Sequence, residues 1–348
     1  MEGIYQIDVT IIEVFQSWFL EYEKVFIAIS NIFDPRYAFL LYAPIVFSVD
    51  WYIGRKLMWV VVAVEWINHL LKWLLHGERP YWWVHEADVY NGRGIPVPNI
   101  YQFSLTCETG PGSPSGHSQS CAAVWYVIFD SFLEKYGSVV QKDDRISKLC
   151  WTVYFALLAT VGTSRIFIAA HFPHQCLFGM FLGWLVATRL KNINQKHFSI
   201  FQYCVFTLGM FASAFLVFEF LEVIGADPMW TIERAVKWCN NPDNVHLDTT
   251  PLYAMMRYCG FMFGMGFGFN SYSFNTFSKE NFTTPMKICC ALLSVAVCLL
   301  SETITFSKEN MAFFYFQAFA LNAFLSYVMI SVIPNMVFQV SKLKEKDS

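Results

Sequence analysis

The chain has 348 residues, of which 55% are apolar, 18% are aromatic and only 15% are charged, and its mean hydropathy is +0.39. Soluble domains carry about 25% charged residues, so this composition predicts a protein that crosses a membrane several times. The net charge of −3 and the lack of a basic tract exclude a nucleic-acid-binding protein. No basic region precedes the first apolar stretch, so we expect no cleaved signal peptide.

The apolar segments predict an all-α fold of about nine membrane-spanning helices, because one span needs about 20 apolar residues. The expected spans are 36–53, 57–77, 117–135, 148–167, 172–190, 200–221, 252–271, 286–304 and 312–336. Before them, acidic residues interrupt an apolar pattern over residues 8–32, which indicates an amphipathic helix on the membrane surface. In the seventh span, Gly260, Gly264 and Gly268 recur at every fourth residue and predict a close-packed helix face.

Basic residues predict the orientation, because Lys and Arg accumulate on the cytosolic side of membranes. They fall on one side of the expected spans, at Arg55, Lys56, Lys142, Arg145, Lys148, Arg189, Lys191, Lys196, Lys279, Lys342, Lys344 and Lys346. The C-terminus should therefore be cytosolic, with the N-terminus and the loops 78–116, 164–173 and 222–251 on the opposite side. The one glycosylation acceptor, Asn281–Thr283, would lie in the cytosol and stay unmodified.

The second expected span carries polar residues that a membrane helix normally excludes. Glu65, Lys72, His76 and Arg79 lie at helical intervals and share one face. Charges inside a membrane are costly, so this face should line a polar cavity. Lys72 and Arg79 are separated by two helical turns, about 10 Å, and can contact one anion, although Lys72 alone could snorkel to the interface. Pro80 should end this helix.

A loop rich in Gly and Pro runs directly into the third expected span. Ser113 and Pro114 are typical of a helix N-cap and a first helical position. The amides of Ser115 and Gly116 would then point outward unpaired, and such a helix end attracts anions. His117 beside it can exchange a proton near neutral pH. The pattern indicates phosphate chemistry, but an ordinary capped helix end has the same local sequence.

The turn after the fourth expected span brings further charged residues to the same side. It contains Arg165 and His171, so three separate segments bring two arginines, a lysine and two histidines to one membrane surface. A single histidine would usually be structural. This convergence favours a shared site.

The three segments resemble a known signature. Lys72-x6-Arg79-Pro80, Pro114-Ser115-Gly116-His117 and Ser164-Arg165-x5-His171 are similar to the three motifs of the type 2 phosphatidic acid phosphatase superfamily, which shares its site with vanadium haloperoxidases. More narrowly, the chain resembles the glucose-6-phosphatase catalytic subunits over nearly its whole length. The matching stretches are Arg79–Val84, Cys107–His117, His171–Gln175, Lys237–Cys239 and His246–Pro251.

This resemblance implies hydrolysis of glucose 6-phosphate, or of a related sugar 6-phosphate, through a phosphohistidine, without a metal or cofactor. His171 would be the nucleophile and His117 the general acid and base. The phosphate would be bound by Lys72, Arg79, Arg165 and the amides of Ser115 and Gly116.

One position departs from the wider superfamily. Gln175 lies four residues after His171, where the superfamily normally has an acid that would orient the imidazole and stabilise its cationic form. The narrower family shares this Gln. Gln175 can orient the ring but cannot neutralise it, so we expect Asp34 or Glu108 to supply the missing charge.

The resemblance also implies residence in the endoplasmic reticulum membrane, with the active site in the lumen. We expect an N-terminal amphipathic segment 1–35, an all-α membrane domain 36–340 with a superfamily-type catalytic core at about 57–190, and a cytosolic tail 341–348. Lys344 and Lys346 have the spacing of a dilysine retrieval signal, or form an ordinary basic tail. The expected partners are the sugar phosphate, membrane lipid and a glucose-6-phosphate transporter that delivers substrate.

Several questions stay open at this point. A lipid phosphate phosphatase of the same superfamily and a phosphate or sugar-phosphate transporter are the alternative functions. Cys107 and Cys239 are the cysteines in polar loops, and the sequence does not decide whether they form a disulfide. Trp82, Trp83 and Tyr90 either stack on a sugar ring or belong to the aromatic belt at the membrane interface.

Overall fold

A computed structural model describes residues 2–90, 95–135, 137, 144–192, 198–245, 250–306 and 310–347, without the side chains of residues 144 and 345–347. Within these residues the chain is helical and contains no β-strand. The predicted all-α fold is therefore confirmed. Lys142, Lys196, residues 246–249 of the matching stretches and the side chain of Lys346 lie outside the described residues.

The helices account for most of the described chain. They are α1 Glu2–Phe19, α2 Glu23–Ile32, α3 Ala43–Val49, α4 Trp51–Leu75, α5 Pro80–Glu86, α6 Gly116–Lys135, α7 Asp144–Phe167, α8 Pro173–Leu190, α9 Ile200–Val223, α10 Trp230–Trp238, α11 Pro251–Phe269, α12 Tyr272–Phe277, α13 Thr284–Ser301, α14 Met311–Tyr327 and α15 Ile333–Asp347. A π-helical segment, Ala38–Tyr42, leads into α3, and another, Val328–Val332, joins α14 to α15.

Each expected span overlaps one of these helices or a run of adjoining helical segments. By length and composition, five segments of the described chain are long and apolar enough to cross a membrane: Trp51–Glu86, Arg145–Phe167, Ile200–Val223, Thr284–Ser301 and Met311–Lys344. The protein is thus a multi-pass membrane protein. The count of nine spans is compatible with the helices and stays a prediction.

The break between the first two expected spans is shorter and earlier than predicted. Only Asp50, in extended conformation, separates α3 from α4. Its carboxylate accepts hydrogen bonds from the amides of Tyr52 (2.9 Å) and Ile53 (3.0 Å) and so caps α4. Arg55 and Lys56 therefore lie inside α4, and the expectation that they form a loop is wrong.

The chain forms two compact units. The first comprises Met1–Pro35, Ile67–Ala187 and Leu216–Pro251, and the second comprises Arg36–Trp66, Thr188–Phe215 and Leu252–Ser348. In the first, α1 and α2 contact α7, and α6 also packs against α7. All motif residues belong to this unit.

In the second unit, Gly260 and Gly264 of α11 lie against α14, and Gly268 lies against Ile330 of the π-helical segment that follows α14. A Cβ atom added at Gly260 would overlap the carbonyl oxygen of Phe319, and one at Gly264 would overlap that of Ala323. The helix backbones therefore approach more closely than any side chain allows. The packing face predicted from the spacing of these glycines is confirmed.

Candidate active site

The three motifs place their charged residues at the ends of helices in the first unit. Lys72 lies in the last turn of α4, Arg79 directly precedes α5, and His117 is the second residue of α6. Arg165 lies in the last turn of α7, and His171 lies in the turn between α7 and α8. All five are buried. The site is thus assembled from segments that are distant in sequence.

The guanidinium group of Arg79 is fully buried and fixed from several directions. Its Nε donates to the carbonyl of Gly110 (2.6 Å), Nη1 to that of Ala170 (2.9 Å) and Nη2 to that of Pro111 (3.3 Å). Nη2 also lies 2.9 Å from the carboxylate of Glu108. The arginine therefore ties the loop of the second motif to the turn of the third, and its orientation is set before any ligand binds.

The helix carrying Lys72 ends earlier than predicted. α4 stops at Leu75, and His76 has a left-handed backbone with φ of 47°. Arg79 is extended, as its position before proline requires, and Pro80 starts a new helix instead of ending the old one. Lys72 and Arg79 therefore do not share one helix face, and that prediction is wrong.

Arg165 is also fully buried. Its Nη1 donates to the hydroxyl of Ser30 (3.0 Å) and to Nε2 of His117 (3.4 Å), and its Nη2 contacts the carboxylate of Glu108. Its Nε has no hydrogen-bond partner among the described residues. A buried N–H group without a partner costs about 1–3 kcal/mol, so a ligand that accepts a hydrogen bond from this donor would recover that cost.

Glu108 places its carboxylate between the two arginines. Its Oε2 lies 2.9 Å from Nη2 of Arg79 and 3.9 Å from Nε2 of His171, while Oε1 contacts Arg165. Burial alone raises the pKa of Glu108, but the charges of Arg165 and Arg79 outweigh burial and lower it well below its ordinary range. The carboxylate is therefore negatively charged.

The imidazole of His171 is held in one tautomer. Its Nδ1 lies 2.7 Å from the carbonyl oxygen of Gly112, and because a carbonyl can only accept, Nδ1 carries the proton. Nε2 then bears the lone pair, and it is buried without a hydrogen-bond partner among the described residues. Burial lowers the pKa of His171 well below 6.5, and the charges of Arg79 and Arg165 lower it further. The ring is therefore neutral.

Gln175 does not orient His171 directly, so that expectation is wrong. Its Nε2 donates to the carbonyl of Glu78 (2.7 Å), and its Oε1 accepts from the amide of Phe172 (3.2 Å). The side chain therefore braces the loops around the site. The carbonyl of Gly112 takes the position on Nδ1 that an acid would occupy.

Helix α6 begins at Gly116, two residues later than the Ser-Pro pair predicts. The Ser113–Pro114 peptide is cis, and Ser115 lies just before the first helical residue. The amide of Ser115 donates to the carbonyl of Gln175 (3.2 Å), so it is not available to a phosphate. The Ser115 hydroxyl is buried without a partner among the described residues. This hydroxyl lies beside the thiol of Cys176 on α8.

Asp34 and Lys72 belong to the surroundings of His117. Both lie within electrostatic reach of its imidazole, and a Cβ atom at Gly116 would lie 3.8 Å from the ring of Pro35, so the segment after α2 reaches this helix end. The carboxylate that approaches His171 is that of Glu108. Within the described residues, no group of three or more His, Cys, Asp or Glu side chains is arranged to hold a metal ion.

Comparison with known proteins shows what the chain is similar to. The model of the PAP2 superfamily matches residues 54–199, which contain all three motifs. The chain is 34% identical to "Glucose-6-phosphatase 2" of Homo sapiens, with 100% of both chains covered. It is 35% identical to "Glucose-6-phosphatase catalytic subunit 1" of Canis lupus familiaris, with 93% of this chain and 92% of the relative covered.

The chain belongs to the glucose-6-phosphatase family. The resemblance seen in the three motifs is therefore confirmed over the whole length of the chain. No solved structure matches the chain.

In this glucose-6-phosphatase family member, the N-terminal helix forms part of the site, a role that its amphipathic pattern did not reveal. The carboxylate of Asp8 contacts Nδ1 of His174, and the ring of Tyr5 packs on that of Phe172 at 4.7 Å between centroids. The Nε2 of Gln16 donates to the carbonyl of Phe167 (2.6 Å). α1 thus fixes the turn that carries the histidine of the third motif.

Helix α10 is a second element that the motifs did not predict. Cys107 and Cys239 form a disulfide, with their Cα atoms 5.8 Å apart, which answers the question that the sequence left open. Nη1 of Arg234 lies 2.6 and 2.8 Å from the two carboxylate oxygens of Glu78. The hydroxyl of Thr231 donates to the carbonyl of Thr109 (2.6 Å). In this glucose-6-phosphatase family member, α10 therefore holds the loop that carries Glu108 in place.

Trp82 and Trp83 have neither of the two predicted roles, and the prediction for Tyr90 stays a prediction. Trp82 and Trp83 are buried in an apolar cluster with residues of α1, α10 and the turn before α8, and Tyr90 packs against that cluster. The indole N–H of Trp82 donates to the carboxylate of Glu78. These residues stabilise the layer that covers the family motifs, because each aromatic side chain buries about 150–250 Å².

Proposed function

We propose that this protein hydrolyses glucose 6-phosphate, or a related sugar 6-phosphate, to the free sugar and inorganic phosphate. The observation that carries the proposal is the state of His171. Its Nδ1–H is held by the carbonyl of Gly112, and its ring lies in the field of the two buried arginines Arg79 and Arg165, with Nε2 unpartnered. A neutral imidazole beside fixed positive charge suits attack on a phosphate ester. The names of the relatives supply the substrate.

The phosphate would be bound by the guanidinium groups of Arg79 and Arg165. Planar N–H donors match two phosphate oxygens at a time. The unpartnered Nε of Arg165 and the hydroxyl of Ser115 are further buried donors, and the amide of Gly116 points outward from the first turn of α6. Lys72 adds positive charge near His117.

The reaction would have two halves. In the first, Nε2 of His171 attacks phosphorus, the bond from phosphorus to the sugar oxygen breaks, and His117 gives its proton to that oxygen. In the second, His117 takes a proton from water, the water oxygen bonds to phosphorus, and the bond to Nε2 breaks. Inorganic phosphate leaves, and both histidines return to their starting states.

In the resting site, Nη1 of Arg165 faces Nε2 of His117 at 3.4 Å. A proton cannot reside on Nε2 while this N–H points at it. Binding of the phosphate draws the donors of Arg165 to the phosphate oxygens, and the negative charge of the phosphate favours uptake of a proton from solvent by Nε2 of His117. The substrate thereby prepares the acid that the first half requires. His117 returns a proton to solvent when inorganic phosphate leaves.

The proposed location is the endoplasmic reticulum membrane, with the C-terminus cytosolic and the active site in the lumen. The distribution of Lys and Arg among the loops supports this orientation. A sugar phosphate made in the cytosol would have to cross the membrane to reach the site. A glucose-6-phosphate transporter is therefore the proposed functional partner.

The test is phosphate release from glucose 6-phosphate by detergent-opened microsomes that contain the wild type or His171→Ala. Loss of the nucleophile should reduce release by at least about 10³-fold. Glucose 6-phosphate with a radioactive phosphate group should label the wild-type protein through an acid-labile bond and leave His171→Ala unlabelled. His85→Ala is the matched control, because it removes an imidazole that stacks on the ring of Trp238 and lies outside the three motifs, and it should retain most of the activity.

Two outcomes would overturn the proposal. Release from a lipid phosphate but not from glucose 6-phosphate would favour the lipid phosphatase alternative. Transport of phosphate into sealed vesicles by both the wild type and His171→Asn, with no hydrolysis by either, would favour a transporter.

A further inference from the structure

Glu108 occupies the position to which the proposed function assigns the phosphoryl group. Its two carboxylate oxygens contact Nη2 of Arg79 and Nη2 of Arg165, and one of them lies 3.9 Å from Nε2 of His171. A phosphate that is bound by both arginines and attacked by Nε2 would need the same space and the same donors. The carboxylate and the phosphate therefore cannot be bound together in this arrangement.

The backbone of Glu108 is fixed on both sides. Its neighbour Cys107 is bonded to Cys239, and the carbonyl of its other neighbour, Thr109, accepts from the hydroxyl of Thr231 (2.6 Å). The carbonyl of Glu108 itself accepts from the hydroxyl of Tyr81 (3.2 Å). The loop cannot easily retract as a whole, so the carboxylate leaves the arginines by rotation of its own side chain.

The buried guanidinium groups of Arg79 and Arg165 need a negative charge beside them when no ligand is bound. The side chains of Arg79 and Arg165 are 0% and 1% exposed, and buried charges without partners are strongly destabilising. Glu108 is partly accessible, with 12% of its side chain exposed. It can therefore neutralise the arginines in the empty site and still reach solvent when another anion replaces it.

We infer that Glu108 is a displaceable internal anion, which holds Arg79 and Arg165 in the empty site and is released from both when a phosphate group binds. This inference rests on the proposed function for the identity of the ligand. The measured affinity for phosphate is then the intrinsic affinity of the two arginines reduced by competition with the carboxylate. Removal of that competitor strengthens binding.

The experiment measures equilibrium binding of inorganic phosphate to the full-length protein in detergent, for the wild type and Glu108→Gln. The variant should bind phosphate at least about tenfold more tightly, since the neutral amide competes poorly for the arginines. If Glu108 only orients the arginines, its loss should weaken phosphate binding instead. Unchanged or weaker binding by Glu108→Gln therefore overturns the inference.

Asp34→Asn is the control for a general effect of charge. It removes one carboxylate that acts on His117, whereas the carboxylate of Glu108 contacts both arginines. Its effect on phosphate affinity should be clearly smaller than that of Glu108→Gln. Equal effects of both variants would contradict displacement, because any nearby negative charge would then act in the same way.

A measurement on the wild type keeps the test independent of the stability of the variant. Infrared difference spectra with and without phosphate should show a change in a carboxylate band, and labelling of glutamate with ¹³C should move that band. Glu108→Asp should alter it. A difference spectrum without a glutamate carboxylate band overturns the inference.

Binding is measured without turnover, so the two proposals can fail separately. A protein that releases Glu108 on binding phosphate but does not hydrolyse sugar phosphates would retain the inference and lose the proposed function. If the protein hydrolyses sugar phosphates but Glu108→Gln does not change its affinity for phosphate, the proposed function is retained and the inference is lost.

Discussion

Gly112 makes two backbone hydrogen bonds at a position that has no room for a side chain. Its carbonyl accepts the Nδ1 proton of His171 at 2.7 Å, and its amide donates to the carbonyl of Gly77 at 2.7 Å. A Cβ atom at this position would overlap the carbonyl oxygen of Glu78 and lie 2.9 Å from Oε1 of Gln175. At the scale of single residues, a backbone group thus has the role that an acidic side chain has in the wider superfamily.

We expect Gly112→Ala to lower kcat for glucose 6-phosphate on the order of 10²-fold, because a displacement of about 1 Å in a catalytic group has that effect. The change in KM should be small, since the arginines keep their other contacts. Steady-state kinetics in detergent-opened microsomes will measure both. Gly209→Ala is the control, because a Cβ atom there meets nothing within 4 Å. Equal kcat in the two variants would contradict a positioning role for Gly112.

The sequence predicted the charged side chains of the candidate site but not the backbone contacts around them. The side chains of Arg79, Arg165 and His171 are recognisable because their spacing and residue types are local properties. The amide of Ser115 and the carbonyl of Gly112 find their partners through tertiary packing, which local patterns do not encode. The contact of Glu108 with both arginines depends on the same packing.

Helix α10 shows how an element outside the motifs stabilises the site. Its disulfide joins residues separated by 132 positions, and its Arg234 binds Glu78, next to Arg79 in the chain. Because α10 contains no motif residue, the motifs could not predict its stabilising role. Its effect is to hold the loop from which Glu108 and Gly112 reach His171.

We expect Cys239→Ser to lower the melting temperature and the specific activity together. In the chain-entropy model, a cross-link that closes a loop of this length contributes up to about 5 kcal/mol. Thermal unfolding with and without a reducing agent will test this. The reducing agent should destabilise the wild type but not change Cys239→Ser further.

Cys289→Ser is the control for this experiment, because Cys289 is free and exposed, and it should behave as the wild type does. A melting temperature that is the same for Cys239→Ser and Cys289→Ser would contradict a stabilising role of the disulfide.

The limits of the helices show why some elements could be predicted and others could not. Long apolar segments such as Ile200–Val223 are evident from composition, and observed and predicted bounds differ there by two residues. The breaks at Asp50 and His76 were missed. The first is set by a capping carboxylate, and the second lies beside Gly77, whose carbonyl binds the amide of Gly112 far along the chain.

At the scale of the whole molecule, the segments predicted to lie on one side of the membrane contact one another. The N-terminal segment meets the third motif through Asp8 and His174, and loop 222–251 meets loop 78–116 through the Cys107–Cys239 disulfide. Such contacts require these segments to lie on the same side. The assignment of this shared side to the lumen comes from the basic residues of the opposite loops.

Glycosylation distinguishes the two sides, because acceptor sites are modified only in the lumen. Tyr101→Thr turns Asn99 in loop 78–116 into an acceptor of the Asn-x-Thr type, and Tyr101 is 45% exposed. The contact of Tyr101 with Gln16 is made by the backbone amide and survives the change. We expect this variant to gain a mass that a glycosidase removes, while the wild type, with its acceptor at Asn281, gains none.

Tyr101→Ala is the matched control, because it removes the same ring without creating an acceptor, and it should migrate as the wild type does. A glycosidase-sensitive shift in the wild type would place Asn281 in the lumen and reverse the orientation. The active site would then face the cytosol, and a sugar phosphate could reach it without a transporter.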